Sequence, residues 1–483
     1  MATKDENAVW TCRGGHCVTQ RRLSVIVFAL FFSWLLAFPF EGQILYSLAS
    51  FYGIASRSLV LGATTAHLAG LLASGLIATN LRTAKRLMLF AIAFSTVASG
   101  AFFFPPSFLW TVSLLSGSFF IGCSVAAWGF YFQLTTPKEQ RIKTIADALI
   151  SANILMILLN LSAIHVSPHF GLSMAIFALL AAFLLARLLP NSDRSEKLAL
   201  AERGQLPSST FGPLAFLCLF ILLITINSGL MYRVMGPSFA HLEWLTSWYW
   251  AAPYIVALFV LRNLPRRMSR AYSLYVAIAM IGLSFIFFLL LGRSWMDYLV
   301  VNTLMLGACG VLDLFWGSTL GEMLDLGSNP AKIMGIGLAA NVLGILLGGF
   351  IGGIISGGGT QSGNSTVLAL GVVCVTLVLL PPLHNRLDTL LKSHAFLAVF
   401  AAMPVQEQDR TMLESRMWGM LTEREGEIAA LLVRGNTYRF IASELHVSEN
   451  TVKTHVKNIY SKLDVKSRAE LMGLFIDTKS ASI

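Results

Sequence analysis

The chain has 483 residues, of which 55% are hydrophobic and only 12% charged, with a mean hydropathy of +0.69. A soluble domain carries about 25% charged residues, so a single soluble globule is excluded. The formal charge of +10 is no sign of nucleic acid by itself: residues 1–383 hold 22 Lys/Arg against 13 Asp/Glu, residues 384–417 hold 4 against 4, and residues 418–483 hold 9 against 8.

Residues 1–22 read as a short cytoplasmic tail. Cys12, His16 and Cys17 lie there, short of the four ligands a structural zinc needs, so no metal site is expected. The tail is no signal peptide, because the first apolar run is about 20 residues long, lacks a small-residue cleavage site and is followed by many more. Cys123, Cys218, Cys309 and Cys374 lie in apolar segments and cannot build a secreted-type disulfide framework.

Apolar runs between charged or Pro/Gly breaks then predict about twelve membrane helices within 23–383, near 24–47, 58–79, 87–104, 108–134, 144–164, 171–189, 211–234, 245–261, 271–292, 298–320, 333–356 and 365–383. Loops after even-numbered spans carry Arg82, Lys85, Arg86, Lys138, Arg141, Lys143, Arg187, Arg194, Lys197, Arg203, Arg262, Arg266, Arg267, Arg270 and Lys332. The opposite side carries only Arg57, Arg233 and Arg293. By the positive-inside rule both termini are cytoplasmic, in a multi-pass protein of a bacterial inner or plasma membrane.

The polar stretch 190–210 divides the bundle into two six-helix halves. This layout resembles the major facilitator superfamily, over roughly residues 20–383 and on topology more than on motif. Where the family has an acidic G-x-L-A-D-R-x-G-R-R-like loop after span two, this chain reads Gly75-Leu-Ile-Ala78-Thr79-Asn80-Leu81-Arg82-Thr83-Ala84-Lys85-Arg86, without the acid. After span eight, Arg262-Asn263-Leu264-Pro265-Arg266-Arg267 again has no acid to pair. Both departures argue against a transport cycle that switches through that loop.

Ionisable groups at membrane depth are costly and therefore candidates for function. Asp313 is the deepest acid. The resemblance implies that spans one, four, seven and ten line a central cavity, which puts Asp313 and Trp316 beside Trp128, Tyr131, Asn227 and Trp34 as candidate ligand-binding residues. Hydrogen bonding between helices and aromatic packing are the alternative account of these groups. Glu41 and Arg233 either pair across the outer mouth or sit at the membrane interface. Trp244, Trp248, Tyr249, Trp250 and Tyr254 read as an interfacial belt. His67, Asn153 and Asn160 read as satisfied interior polar groups. Gly335, Gly337, Gly344, Gly348, Gly349, Gly352 and Gly353 fit either close helix packing or a flexing helix. No proton relay, ring of like charges or Arg-rich sensor helix is present.

After a linker at 384–417, Thr422-Glu423-Arg424-Glu425 is a capping box, Leu421, Ile428, Leu431 and Leu432 form an apolar stripe, and Gly435 ends the helix. A second short helix carries Phe440, Ile441, Ala442 and Leu445. After a turn at His446-Val447, Ser448 caps a third helix. On that third helix Val452, Val456, Ile459 and Leu463 share one face, while Lys453, Lys457, Asn450, Ser461 and Thr454 form a polar, basic face without an acid, as entry into a major groove requires. A fourth helix starts at Ser467-Arg468-Ala469-Glu470 and offers Leu471, Leu474 and Phe475.

The strings Leu421-Thr-Glu-Arg-Glu425, Ile441-Ala442, Val447-Ser448, Thr451-Val452-Lys453-Thr454-His455, Ile459-Tyr460-Ser461-Lys462-Leu463 and Lys466-Ser467-Arg468-Ala469-Glu470-Leu471 closely resemble the LuxR-type, or NarL/FixJ-type, helix-turn-helix. The resemblance covers 418–477 within a domain at 418–483. It implies binding of double-stranded DNA as a homodimer, with bases read by Lys453, Thr454 and Lys457, phosphates held near Ser448, Thr451 and His455, and dimer contacts from the fourth helix. Asn450 lies on the same DNA-facing surface. Tyr438-Arg439-Phe440 departs from the family's usual Lys-Glu before Ile-Ala.

The expected fold class is therefore all-α: a polytopic bundle of about twelve helices followed by a four-helix helix-turn-helix domain. The expected function is a one-component transcriptional regulator anchored in the lipid bilayer, sensing an unidentified small molecule. The alternative is a secondary transporter with an attached regulatory DNA-binding domain. No nucleophile-base pair, metal set or phosphate loop points to an enzyme, and no catalytic residue or cofactor is expected.

Overall fold

A computed structural model of the chain describes residues 16–40, 42–191, 211–263, 270–326, 329–357, 367–379, 381–382, 420–433, 436, 438–465 and 471. The described secondary structure is helical. The chain separates into two compact units, one from residues 1–193 and 217–380, the other from 194–216 and 381–483. Several expectations fall outside the described residues: Cys12, Glu41, Arg194, Lys197, Arg203, Arg266, Arg267, the linker 384–417, Gly435, Ser467 to Glu470, Leu474 and Phe475.

Eleven helices among the described residues are long and apolar enough to cross a membrane. In chain order the spans are Gln20–Ala37, Arg57–Ile77, Leu81–Phe103, Phe108–Thr135, Lys138–His165, Pro168–Arg187, Leu214–Ser238, Ala240–Asn263, Tyr272–Leu290, Trp295–Met323 and Pro330–Ile354. A shorter apolar helix, Val367–Leu379, stands where the twelfth is expected.

Local chemistry sets the departures from the sequence boundaries. Span one stops at Ala37 rather than near 47, because Pro39 disfavours helix at the residue before it and lacks an N–H. The chain turns through Phe38–Phe40 and resumes as a separate helix, Gln43–Phe51. Span three starts six residues earlier than its apolar run, at Leu81. There the Asn80 side chain accepts from the Thr83 N–H at 2.8 Å and the Thr83 hydroxyl oxygen accepts from the Asn80 N–H at 3.0 Å. Arg82, Lys85 and Arg86 thus belong to a helix rather than a loop. In span seven, Met231–Met235 is π-helical, directly before Pro237, which cannot donate to the Arg233 carbonyl.

Most glycines of span eleven serve close packing, whereas Gly349 has open space where a side chain would stand. A methyl group at Gly335 would collide with the Leu71 carbonyl of span two, and one at Gly348 with the Ile226 carbonyl of span seven. Small residues let helix backbones approach this closely in lipid.

The two halves are tied at the end of the bundle where span one begins, called the basic end below. Asp147 of span five accepts from Arg21 of span one and from Arg262 of span eight, each at 2.5 Å. Arg141, only 3% exposed, donates to the Gly321 carbonyl at 2.8 Å and to Asp325 at 2.9 Å. Gln133 donates to the Leu324 carbonyl at 2.9 Å and to Asp325 at 3.1 Å, and Lys138 lies 3.5 Å from the same carboxylate. Asn329 reaches from the start of span eleven to the Gly75 and Ala78 carbonyls at the end of span two. Arg262 therefore does have an acid to pair. Its partner lies 115 residues away in the other half, beyond any reading of the loop alone.

The C-terminal domain has helices at Glu423–Val433, Tyr438–Glu444 and Glu449–Lys462. Its core joins Ile428, Ala429, Leu432, Val433, Ile441, Ala442, Val452, Val456, Ile459, Val465 and Leu471, all buried. Leu421, Leu431, Leu445 and Leu463 pack at its edge. Phe440, carried by the second helix, is 48% exposed, because that short helix turns Ile441 and Ala442 inward. His446 adopts φ +52° and so supplies the turn into the third helix.

Candidate functional site

The capping box expected at Thr422 is present. The Thr422 N–H and hydroxyl donate to Glu425 Oε2 at 2.8 and 2.9 Å, and the Glu425 N–H reaches the Thr422 hydroxyl at 3.4 Å. Lys462, at the end of the third helix, donates to the same carboxylate oxygen at 2.6 Å. The Lys462 ammonium, then the Thr422 donors, hold the Glu425 carboxyl down at about 2. One carboxylate thus caps the first helix and fixes the third against it.

Ser448 caps the third helix, accepting from the Thr451 N–H at 3.1 Å. Burial of Val452, Val456 and Ile459 turns Asn450, Thr451, Lys453, Thr454, Lys457 and Ser461 outward, all exposed. His455 is half-buried, and its Nδ1 is buried without a hydrogen-bond partner. The Thr454 hydroxyl donates to the Asn450 carbonyl at 3.0 Å. One correction concerns charge: Glu449, at the start of this helix, pairs with Lys453 at 3.1 Å. The surface is a basic helix face whose first lysine already has an acidic partner.

The bundle encloses a cavity of about 210 Å³ lined by residues of both halves. Asp313 and Trp316 of span ten and Trp128 of span four stand on its wall, as the sequence reading grouped them. Asp313 lies ten residues, about 15 Å, from the end of span ten. Its two oxygens accept from the Tyr254 hydroxyl at 2.9 Å and from Trp316 Nε1 at 3.0 Å. Trp128 is fixed by donating to the Ser24 hydroxyl at 2.9 Å and stacks near Phe28, ring centroids 4.3 Å apart.

The other three grouped residues are not on the wall. Trp34 turns to span three and donates to the Ser99 hydroxyl at 3.0 Å. Tyr131 donates to the Pro190 carbonyl at 3.2 Å. Asn227 is fully buried, with both amide atoms lacking hydrogen-bond partners, while its neighbour Ser228 faces the cavity.

The wall instead includes residues that the sequence reading placed elsewhere. Trp250 and Tyr254, assigned to an interfacial belt, line the cavity one helical turn apart. Tyr232, in the π-helical segment, joins them, with its ring 5.4 Å from that of Trp250. Their spacing of four along span eight was the available signal. His67, Asn153 and Asn160 also line the cavity. His67 Nδ1 and Asn160 Oδ1 are buried without hydrogen-bond partners, so these two groups are not fully satisfied as expected. Arg233 does not line it; with Arg57 it packs over Gly353 of span eleven.

Residues 419–475 match the family described as bacterial regulatory proteins, luxR family. Similar proteins include the response regulator protein VraR of Staphylococcus saprophyticus, 43% identical over 70 residues, 14% of this chain and 34% of that one. VraR of Staphylococcus aureus is 44% identical over 66 residues, 14% of this chain and 32% of that one. The chain spans about a third of the length of these curated relatives. The bundle is similar in fold to the human organic anion transporter MFSD10 (TETRAN) in its crystal structure, with a TM-score of 0.58 at 16% identity, over 75% of this chain and 98% of that one. This chain thus joins a bundle of the major facilitator fold to a LuxR-type helix-turn-helix domain.

Proposed function

We propose that this chain is a one-component transcriptional regulator of a bacterial plasma membrane, in which a small molecule bound in the bundle sets the DNA binding of the C-terminal domain. The observation that carries this reading is a cavity with a half-buried, hydrogen-bonded carboxylate on the same polypeptide as a DNA-binding domain. Asp313, Trp316 and Trp128 touch the ligand, while Trp34, Tyr131 and Asn227 support the wall from behind. Lys453, Thr454 and Lys457 read base edges, and Ser448, Asn450, Thr451 and His455 hold the backbone, with a homodimer on the operator.

The basic end faces the cytoplasm in this reading, which puts the DNA-binding domain where a chromosome is. Ile145 and Ala148 line the cavity, and Arg141 and Asp147 on the same helix belong to the ties between halves. A ligand that favours one arrangement of the halves shifts the population of that arrangement and needs no net transport to do so. A transcriptional reporter carrying an operator selected by the 418–483 fragment tests this. Control by the signal is expected from the full chain and not from the fragment freed of the membrane; equal control by both would contradict it.

A second reading, a secondary transporter that also regulates expression, is favoured by the cavity shared between the halves and by the transporter-like fold. Net uptake of a labelled ligand into proteoliposomes would support it, and saturable binding without flux would support the sensor.

A further inference from the structure

We propose that the cavity takes an organic monocation, a protonated amine or quaternary ammonium on a compact aromatic or apolar body, with its charge against Asp313. This rests on the reading of the bundle as a small-molecule site and names the class of molecule. Among the described residues Asp313 is the single acid on the lining, and no Lys or Arg lines the cavity. Its two hydrogen-bond donors, Tyr254 and Trp316, are neutral, so they orient the carboxylate without neutralising it. The half-buried Asp313 carboxylate faces the cavity with no opposite charge among the described lining residues, and a bound cation supplies one.

The remaining wall selects which cation. Trp128, Tyr232, Trp250 and Trp316 present aromatic rings, whose negative faces attract an ammonium group and whose bodies cover an apolar one. A hard metal ion would need several oxygen ligands at once, and among the described residues no group of three His, Cys, Asp or Glu could hold one. An organic anion would meet Asp313 with no Lys or Arg among the described lining residues to receive it, His67 being the one imidazole there.

The test uses the full chain purified in detergent and probe sets matched in shape but not in charge: 2-phenylethylammonium, 2-phenylethanol and 3-phenylpropionate, with a naphthyl set bearing the same head groups. Binding is read by equilibrium dialysis and by the shift in thermal unfolding midpoint. In at least one set the ammonium is expected to bind saturably, at least about tenfold more tightly than its alcohol and carboxylate. Asp313→Asn is expected to remove that preference and Asp313→Glu to retain it. Should the Asn variant fail to fold, the wild-type comparison and the Glu variant still decide.

The proposal is overturned if an alcohol or carboxylate matches the ammonium, if a well-folded Asp313→Asn chain keeps the preference, or if no ammonium binds. Tight binding of a neutral or anionic probe would leave the sensor reading standing while removing the cation. An ammonium that binds through Asp313 without changing reporter output would leave the site standing while removing the sensor.

Discussion

Among the described residues of the C-terminal domain the buried set is almost wholly apolar, and the one buried carboxylate there, Glu425, sits at a helix start with its donors three residues away and a lysine across the fold. The bundle is built the other way. Its outer surface is apolar, and its distinguishing contacts are polar ones drawn inward: Asp147 between two arginines, Asp325 against Arg141, Asp313 beneath Tyr254 and Trp316. In water an apolar core drives folding, because removing apolar surface from solvent is favourable. In lipid that drive between helices is absent, so packing and hydrogen bonds decide which helices meet. The same contrast separates a small domain with an apolar core from a bundle whose halves meet through close helix packing and a few polar ties.

The largest effect expected from breaking this contrast is at Arg141. Arg141→Leu leaves Asp325 with only Gln133 and the more distant Lys138, and should lower the stability of the detergent-purified chain by about 3–5 kcal/mol. A loss below about 1 kcal/mol in thermal unfolding would show that the tie contributes little. In the C-terminal domain the comparable loss should come from an apolar deletion: Ile459→Ala, at a fully buried position, should cost about 2–4 kcal/mol in urea unfolding of the 418–483 fragment.

On the exposed face, Lys457→Ala should weaken specific DNA binding by about 1–3 kcal/mol with little change in stability, and unchanged discrimination between the selected operator and a scrambled duplex would remove it from base reading. Smallest is an acid effect at Glu425. Its folded carboxyl titrates near 2, below the ordinary 4.5, so its contribution is complete above about 4.5 and is lost as pH falls towards 2. Glu425→Gln should flatten the stability profile of the fragment across that window, and an unaltered profile would count against the Lys462 pair.

The two regions were also unequally legible from sequence. Capping at Thr422 and Ser448 and the buried stripe of Val452, Val456 and Ile459 follow from local spacings of three and four residues. Eleven of the about twelve expected spans followed from hydropathy, which depends on composition along the chain, whereas the twelfth is the shorter helix Val367–Leu379. The ties did not, because Arg262 and Asp147 are separated by 115 residues and neither loop contains both. Lys85 shows the same limit. Counted as orientation charge, it donates to the Arg187 and Leu189 carbonyls and so satisfies the end of span six. In the cavity, Asp313, Trp316 and Trp128 were grouped by span, whereas Trp34 and Tyr131 were misplaced by facing, since an all-apolar helix has no polar side to orient it. Trp250 and Tyr254 were assigned to the membrane interface for their residue type, although their spacing of four matched the face that meets Asp313.

In the proposed function the arrangement of the two halves governs the DNA-binding domain. This is tested most directly by measuring the affinity of one selected duplex for three proteins: the full chain in nanodiscs, the same chain with Asp147→Asn, and the isolated 418–483 fragment. The account predicts that loosening the tie to Arg21 and Arg262 changes the affinity of the full chain at least about fivefold, a coupling of about 1 kcal/mol. Identical affinities for all three would contradict it.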